Sequence, residues 1–181
     1  RHQIQDFRGG SDGRCVDHDL VGGVGEPVDL ALALRVDCPS EPAPVDVALV
    51  MDRSSSMLGQ SIADARDAAH AFVDIVDMSR ARVAVISFAR HATLDVRLVD
   101  DAERLHAAIS RVEAEGTTNI GEGLAEAARV FERTPAGEGT VRAVLLLTDG
   151  LDMLGPEAVR FHARRLHEDG VHLTPIALGR R

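Results

Sequence analysis

Asp52, Ser54 and Ser56 alternate along the stretch Asp52-Arg53-Ser54-Ser55-Ser56-Met57, a carboxylate and two hydroxyls each two residues apart. On a tight loop such groups converge on one point, and six or so oxygen donors around a point suit a hard divalent cation. A second carboxylate, Asp149, ends the apolar run Val141 to Thr148 in the way that Asp52 ends Val45 to Met51. Taken alone, the Ser-rich stretch also reads as a solvated turn, and its chemistry depends on what else is brought to it.

Other chemistries are poorly supplied. The chain has 181 residues, a formal charge of −9 and 20 basic residues, all of them Arg. Without Lys there is no phosphate-binding G-x-x-x-x-G-K-[ST] loop and no Schiff base. A receiver-like phospho-acceptor site also needs a Lys, and a haloacid-dehalogenase-like phosphatase needs a second Asp where Ser54 stands. No nucleophile and base pair up, so the chain reads as non-catalytic. The acidic balance argues against nucleic-acid binding, which needs a basic face. His162 and His167 are five apart, and His70, His91, His106 and His172 fall on different elements, a poor pattern for zinc or copper. Asp74, Asp77, Asp100 and Asp101 read as a solvated helix face and a cap, and Asp152 is the one acidic residue outside the main pattern that lies near Asp149 in sequence.

The elements that must position these residues follow from hydrophobic period. Val45 to Met51 is a short apolar run of the kind buried on both faces of a parallel sheet. Ile62, Ala65, Ala69, Phe72, Val73 and Val76 repeat at three and four residues, predicting a helix over about 59 to 77. Arg82 to Ala89 and Ala92 to Val99 follow too closely for a parallel crossover and predict a hairpin, hence one antiparallel strand. Asp100, with Glu103 three residues on, predicts a helix start, and that helix is expected to run to Glu115-Gly116. Leu124, Ala127, Ala128 and Phe131 mark the next helix. Val141 to Thr148 is a strand, Pro156 opens a helix with Val159, Ala163 and Leu166 inward, and Val171 to Leu178 is the last strand. The order predicts an α/β fold: a Rossmann-like, doubly wound, mostly parallel sheet with one antiparallel edge strand and helices on both faces. Ligands of such sheets bind outside the carboxyl ends of the strands, where Asp52 and Asp149 stand.

Three segments in this order, Asp52 to Met57, Thr118-Asn119-Ile120-Gly121 and Leu147-Thr148-Asp149-Gly150, resemble the metal-ion-dependent adhesion site (MIDAS) of the von Willebrand factor type A family. The resemblance runs from about Val45 to Gly179. It implies that Ser54, Ser56 and Thr118 bind a metal directly while Asp52 and Asp149 hold its waters. Mg²⁺ is the implied occupant, with Mn²⁺ or Ca²⁺ as substitutes. Neutral hydroxyls leave the cation's charge largely uncompensated, so an open position attracts an anionic oxygen. The implied function is adhesion-type protein binding through a partner's Asp or Glu. The alternative is an accessory subunit of an intracellular ATP-driven complex, as type A domains are in chelatases. Two departures stand out: Ser55 replaces the commoner Gly, and Glu115-Gly116-Thr117 replaces the usual Gly-Gly, so Thr117 competes with Thr118, which Asn119 favours. Family members usually continue past the strand that ends near Arg181, which suggests a domain cut short.

Residues 1–27 lack sustained period and are expected to form an irregular arm; 28–44 supply an extra strand (Val28 to Asp37) and a Pro-rich linker; 45–181 form the main domain. The start at Arg1 without Met suggests an excised segment. No run reaches the roughly 18 apolar residues of a membrane helix, so no membrane insertion by this segment is expected. Cys15 and Cys38 are either a disulfide or two buried thiols. Some bacterial secreted and surface-anchored family members carry a paired Cys before and after a similar strand, and that resemblance favours the disulfide and an extracellular or cell-surface address over a cytoplasmic one. Oligomeric state is not legible.

Overall fold

A computed structural model describes the backbone of residues 5–9 and 15–19, and residues 43–150 and 155–178 in full. The chain divides into two compact units, Arg1–Ser40 and Glu41–Arg181. The first holds strands β1 (Gln5–Gly9) and β2 (Cys15–Asp19), paired antiparallel with Phe7 opposite Asp17. This differs from the irregular arm expected over 1–27, because strands of five residues carry too little periodicity to register in a sequence. The expected Val28 to Asp37 strand and Cys38, and with it the Cys15–Cys38 pairing, lie outside the described residues, as does Asp152.

The second unit is built on β3 (Val45–Asp52), α1 (Gln60–Ile75), β4 (Ala81–Phe88), β5 (Ala92–Val99), α2 (Ala102–Ile109), α3 (Ile120–Arg133), β6 (Val141–Thr148), α4 (Pro156–Glu168) and β7 (His172–Ala177). A short 3-10 turn, Ser55–Met57, links β3 to α1. The five strands lie in the order β5-β4-β3-β6-β7, all parallel except β5, which runs antiparallel along one edge. The sheet is the mostly parallel, Rossmann-like one that the element order implies. No described helix is long and apolar enough to cross a membrane.

Alternation along the central strand divides the core in two. Val47, Leu49 and Met51 pack with Val83, Val85 and the inner faces of α1 and α2, including Ile62, Ala69, Leu105 and Ile109. Ala48 and Val50 pack with Ala84, Ile86 and Phe88 against α3 and α4, through Leu124, Ala127, Phe131 and Leu166. The α3 helix sits close to the sheet because Gly123 has no side chain: a Cβ there would lie 2.8 Å from Phe88 Cδ1 and 3.0 Å from Val50 Cγ1. At the amino end of the strands the buried Asp46 accepts two bonds from Arg82, 2.8 and 2.9 Å, across the β3–β4 pair. Arg142, its neighbour on β6, approaches to 3.9 Å.

Two helix boundaries differ from the sequence expectation. The cap of α2 is Asp101 rather than Asp100, its side chain accepting from Arg104 N at 3.0 Å. The same helix stops at Ile109, well before Glu115. The reason is tertiary: after a last turn in which Ser110, Arg111 and Val112 still bond back to the helix, the backbone is taken up by other elements. The Arg66 guanidinium binds Val112 O, and Glu115 N donates to Arg53 O at 2.6 Å.

Candidate metal centre

The site is assembled at the carboxyl edge of the sheet, where β3 and β6 release the chain side by side. Asp52 is fully buried at the end of β3, and each of its carboxylate oxygens is held by a different segment. Ser54 N donates to Oδ1 at 2.8 Å, closing a tight turn, and Thr148 Oγ1 donates to Oδ2 at 2.7 Å from β6. Gly150 N in turn donates to Thr148 Oγ1 at 3.1 Å, and a φ of 85° at that position suits glycine, which meets no Cβ penalty there. The hydroxyls of Ser54 and Ser56 lie 2.9 Å apart, Ser54 buried and Ser56 half-buried.

The third segment is drawn in by backbone bonds. Arg53 N donates to Phe88 O at 2.8 Å and Ser55 N to Gly116 O at 2.8 Å, so the Ser-rich loop is pinned to β4 on one side and to the 115–118 loop on the other. An ion pair between Arg53 Nη1 and Glu115 Oε1, 2.7 Å, closes the same joint at the surface. Thr118 is buried at this joint, whereas Thr117 is exposed, which separates the two threonines that the sequence leaves in competition. Asn119 caps α3, its side chain accepting from Glu122 N at 3.2 Å, and so places Thr118 at the positive end of a helix.

Burial pushes the Asp52 carboxyl above the ordinary carboxylate range; the bonds from Ser54 and Thr148 oppose that rise, and the charge of Asp149 adds to it. Two carboxylates that repel each other beside neutral hydroxyls form a place where a cation relieves the strain of burial. Among the described residues no group of three His, Cys, Asp or Glu is placed to hold a metal. The donor set here is instead mostly hydroxyl oxygen. Hydroxyl and carboxylate oxygens are the donors a hard divalent cation takes, so the residues present fit such an ion.

The structure therefore brings Asp52, Ser54 and Ser56 into direct hydrogen-bonded contact or sequence, ties the Thr118 loop to them through the backbone, and sets Asp149 within electrostatic range of Asp52. Thr148 has a part that the sequence reading did not assign to it. Its signal is a polar residue ending an otherwise apolar strand, immediately before the second site Asp.

The chain belongs to the von Willebrand factor type A domain family, whose profile matches residues 47–151. A protein of Synechocystis sp. is 32% identical over 123 residues, 67% of this chain. The chain spans only 29% of the length of that relative. Among solved structures, an aerotolerance-related membrane protein from Bacteroides fragilis superposes with a TM-score of 0.67 at 26% identity, over 75% of this chain and 68% of its own. Proximal thread matrix protein 1 of the mussel byssus, in a form with a zinc-occupied MIDAS motif, gives a TM-score of 0.62 at 28% identity, over 75% of this chain and 36% of its own.

Proposed function

We propose that this domain is a non-catalytic protein-binding module that grips an acidic residue of its partner through a divalent metal. Ser54, Ser56 and Thr118 would supply hydroxyl oxygens to the ion, with Asp52 and Asp149 holding its water ligands. Mg²⁺ is the proposed ion, with Mn²⁺ or Ca²⁺ as substitutes. When bound, the ion supplies a positive charge that neutral donors barely offset, and so an attraction for a carboxylate. The chain's own residues do the positioning: Thr148 and the Ser54 amide hold Asp52 still, and the backbone bonds from Arg53 and Ser55 hold the loops together.

The observation that carries this reading is the pair of serine hydroxyls, 2.9 Å apart, over a buried carboxylate bonded at both oxygens. The zinc-occupied MIDAS of the mussel byssus protein and the membrane-protein description of the Bacteroides structure support a metal-dependent binding role and an extracytoplasmic setting at a bacterial surface. A pull-down with the domain as bait tests it: a partner is expected to be retained in Mg²⁺ and released by EDTA. Retention that is indifferent to EDTA contradicts the metal's role.

A further inference from the structure

On the α1 and α2 side of the sheet, away from the metal centre, four polar side chains line up in contact between the two helices. His70 on α1 and His106 on α2 stack with ring centroids 4.9 Å apart and planes at 28°, and their Nδ1 atoms are 2.7 Å from each other. At one end Asp74 Oδ1 stands 3.1 Å from His106 Nε2; at the other, Ser110 Oγ is 3.3 Å from His70 Nε2. The neighbouring charges are limited. Arg66 and Asp67 precede His70 by one turn of α1, and Arg66 is bound to Val112 O. Glu103 precedes His106 by one turn of α2, Arg111 follows Ser110, and the strands packed beneath present Val83, Val85, Val96 and Val99.

The proton count of this line is constrained. Asp74 lies beside His106 Nε2, and the Nδ1···Nδ1 contact needs one proton, which either ring can supply. Ser110 Oγ donates its one proton to His106 O at 2.9 Å, so its contact with His70 Nε2 is completed by a proton on that nitrogen. With Nε2–H on both rings, the bonded pair therefore holds three ring protons, one more than two neutral imidazoles carry. A second added proton has only the remaining Nδ1 to occupy, and there it faces another N–H.

We propose that His70 and His106 form a proton-dependent clamp between α1 and α2, closed when the pair carries at most one extra proton and forced open when both rings are charged. The α1 helix begins just after the Ser54 to Met57 loop and α2 leads through residues 110–117 to Thr118, so the clamp joins the helices that flank two of the site's loops. Its leverage on the metal rests on the function proposed above; the clamp itself does not.

The test is a double-mutant cycle with His70→Ala, His106→Ala and both, unfolded by urea in EDTA at pH 7 and pH 5. At pH 7 the two histidines are expected to couple by about fivefold in the unfolding equilibrium constant, the worth of one hydrogen bond. At pH 5 the coupling is expected to vanish or change sign. Groups such as His162, whose burial lowers its pKa, are common to all four proteins and cancel. Equal coupling at both pH values, or none at either, overturns the proposal. Long-range proton–nitrogen NMR of the rings gives a second readout: one proton shared between the two Nδ1 atoms supports the clamp, and independent titration of the two rings overturns it.

Discussion

Asp52 is held by a bond that no local pattern announces. The Asp-x-Ser-x-Ser spacing is legible because its three side chains lie on one short loop, and the Ser54 amide bond to Asp52 spans only two residues. The Thr148 bond spans 96 residues and exists only because β6 lies beside β3. A strand order has to be known before that hydroxyl acquires a role. Thr148→Val keeps the shape and removes the donor, leaving a buried carboxylate oxygen and the Gly150 amide unsatisfied. The expected result is a 10- to 100-fold (about two decades at most) loss of Mg²⁺ affinity and a stability loss of about 1–3 kcal/mol, read by calorimetry and urea unfolding.

At the scale of elements, periodicity locates the strands β3 to β6 and the helices between them, because each turns apolar residues to the core, and the edge strand β7 is legible only as a short β-branched run. It overextends α2, whose polar and apolar residues continue in helical spacing to Glu115 while the backbone turns aside at Ile109 to reach Arg66 and Arg53. The departure shapes the candidate site, since the residues freed from the helix become the strap that brings Gly116 and Thr118 beside the Ser54 to Met57 loop. Closeness between elements is likewise invisible in a sequence. Gly123 looks like a helix weakener, yet it is where α3 rests against Phe88 and Val50. Gly123→Ala gains about 1 kcal/mol of helix propensity but overpacks a core contact by about 1–3 kcal/mol. A net destabilisation is expected in urea unfolding, and stabilisation would show that the helix can shift outward freely.

Over the whole second unit, charge is divided between two ends of one sheet. The amino end buries Asp46 against Arg82 and Arg142, a bonded and largely compensated arrangement. The carboxyl end buries Asp52 near Asp149 with hydroxyls and amides for company, and burial raises the Asp52 carboxyl accordingly. The first end serves the fold and the second is free to serve a ligand. Asp46→Ala is therefore expected to cost about 1–2 kcal/mol of stability, the exposure of Arg82 keeping it below the ~3–5 kcal/mol of a fully buried pair, while Mg²⁺ affinity stays unchanged. A parallel fall in affinity would mean that the two ends are mechanically coupled.

The central claim is that Asp52, Ser54, Ser56, Thr118 and Asp149 together hold one divalent ion. Calorimetric titration of Mg²⁺ into the protein and into its Asp52→Ala and Thr118→Ala variants tests it most directly, with circular dichroism to verify that each variant keeps its helix and strand content. One saturable site in the parent and none in either variant is the expected result. Unchanged affinity in both folded variants would contradict it.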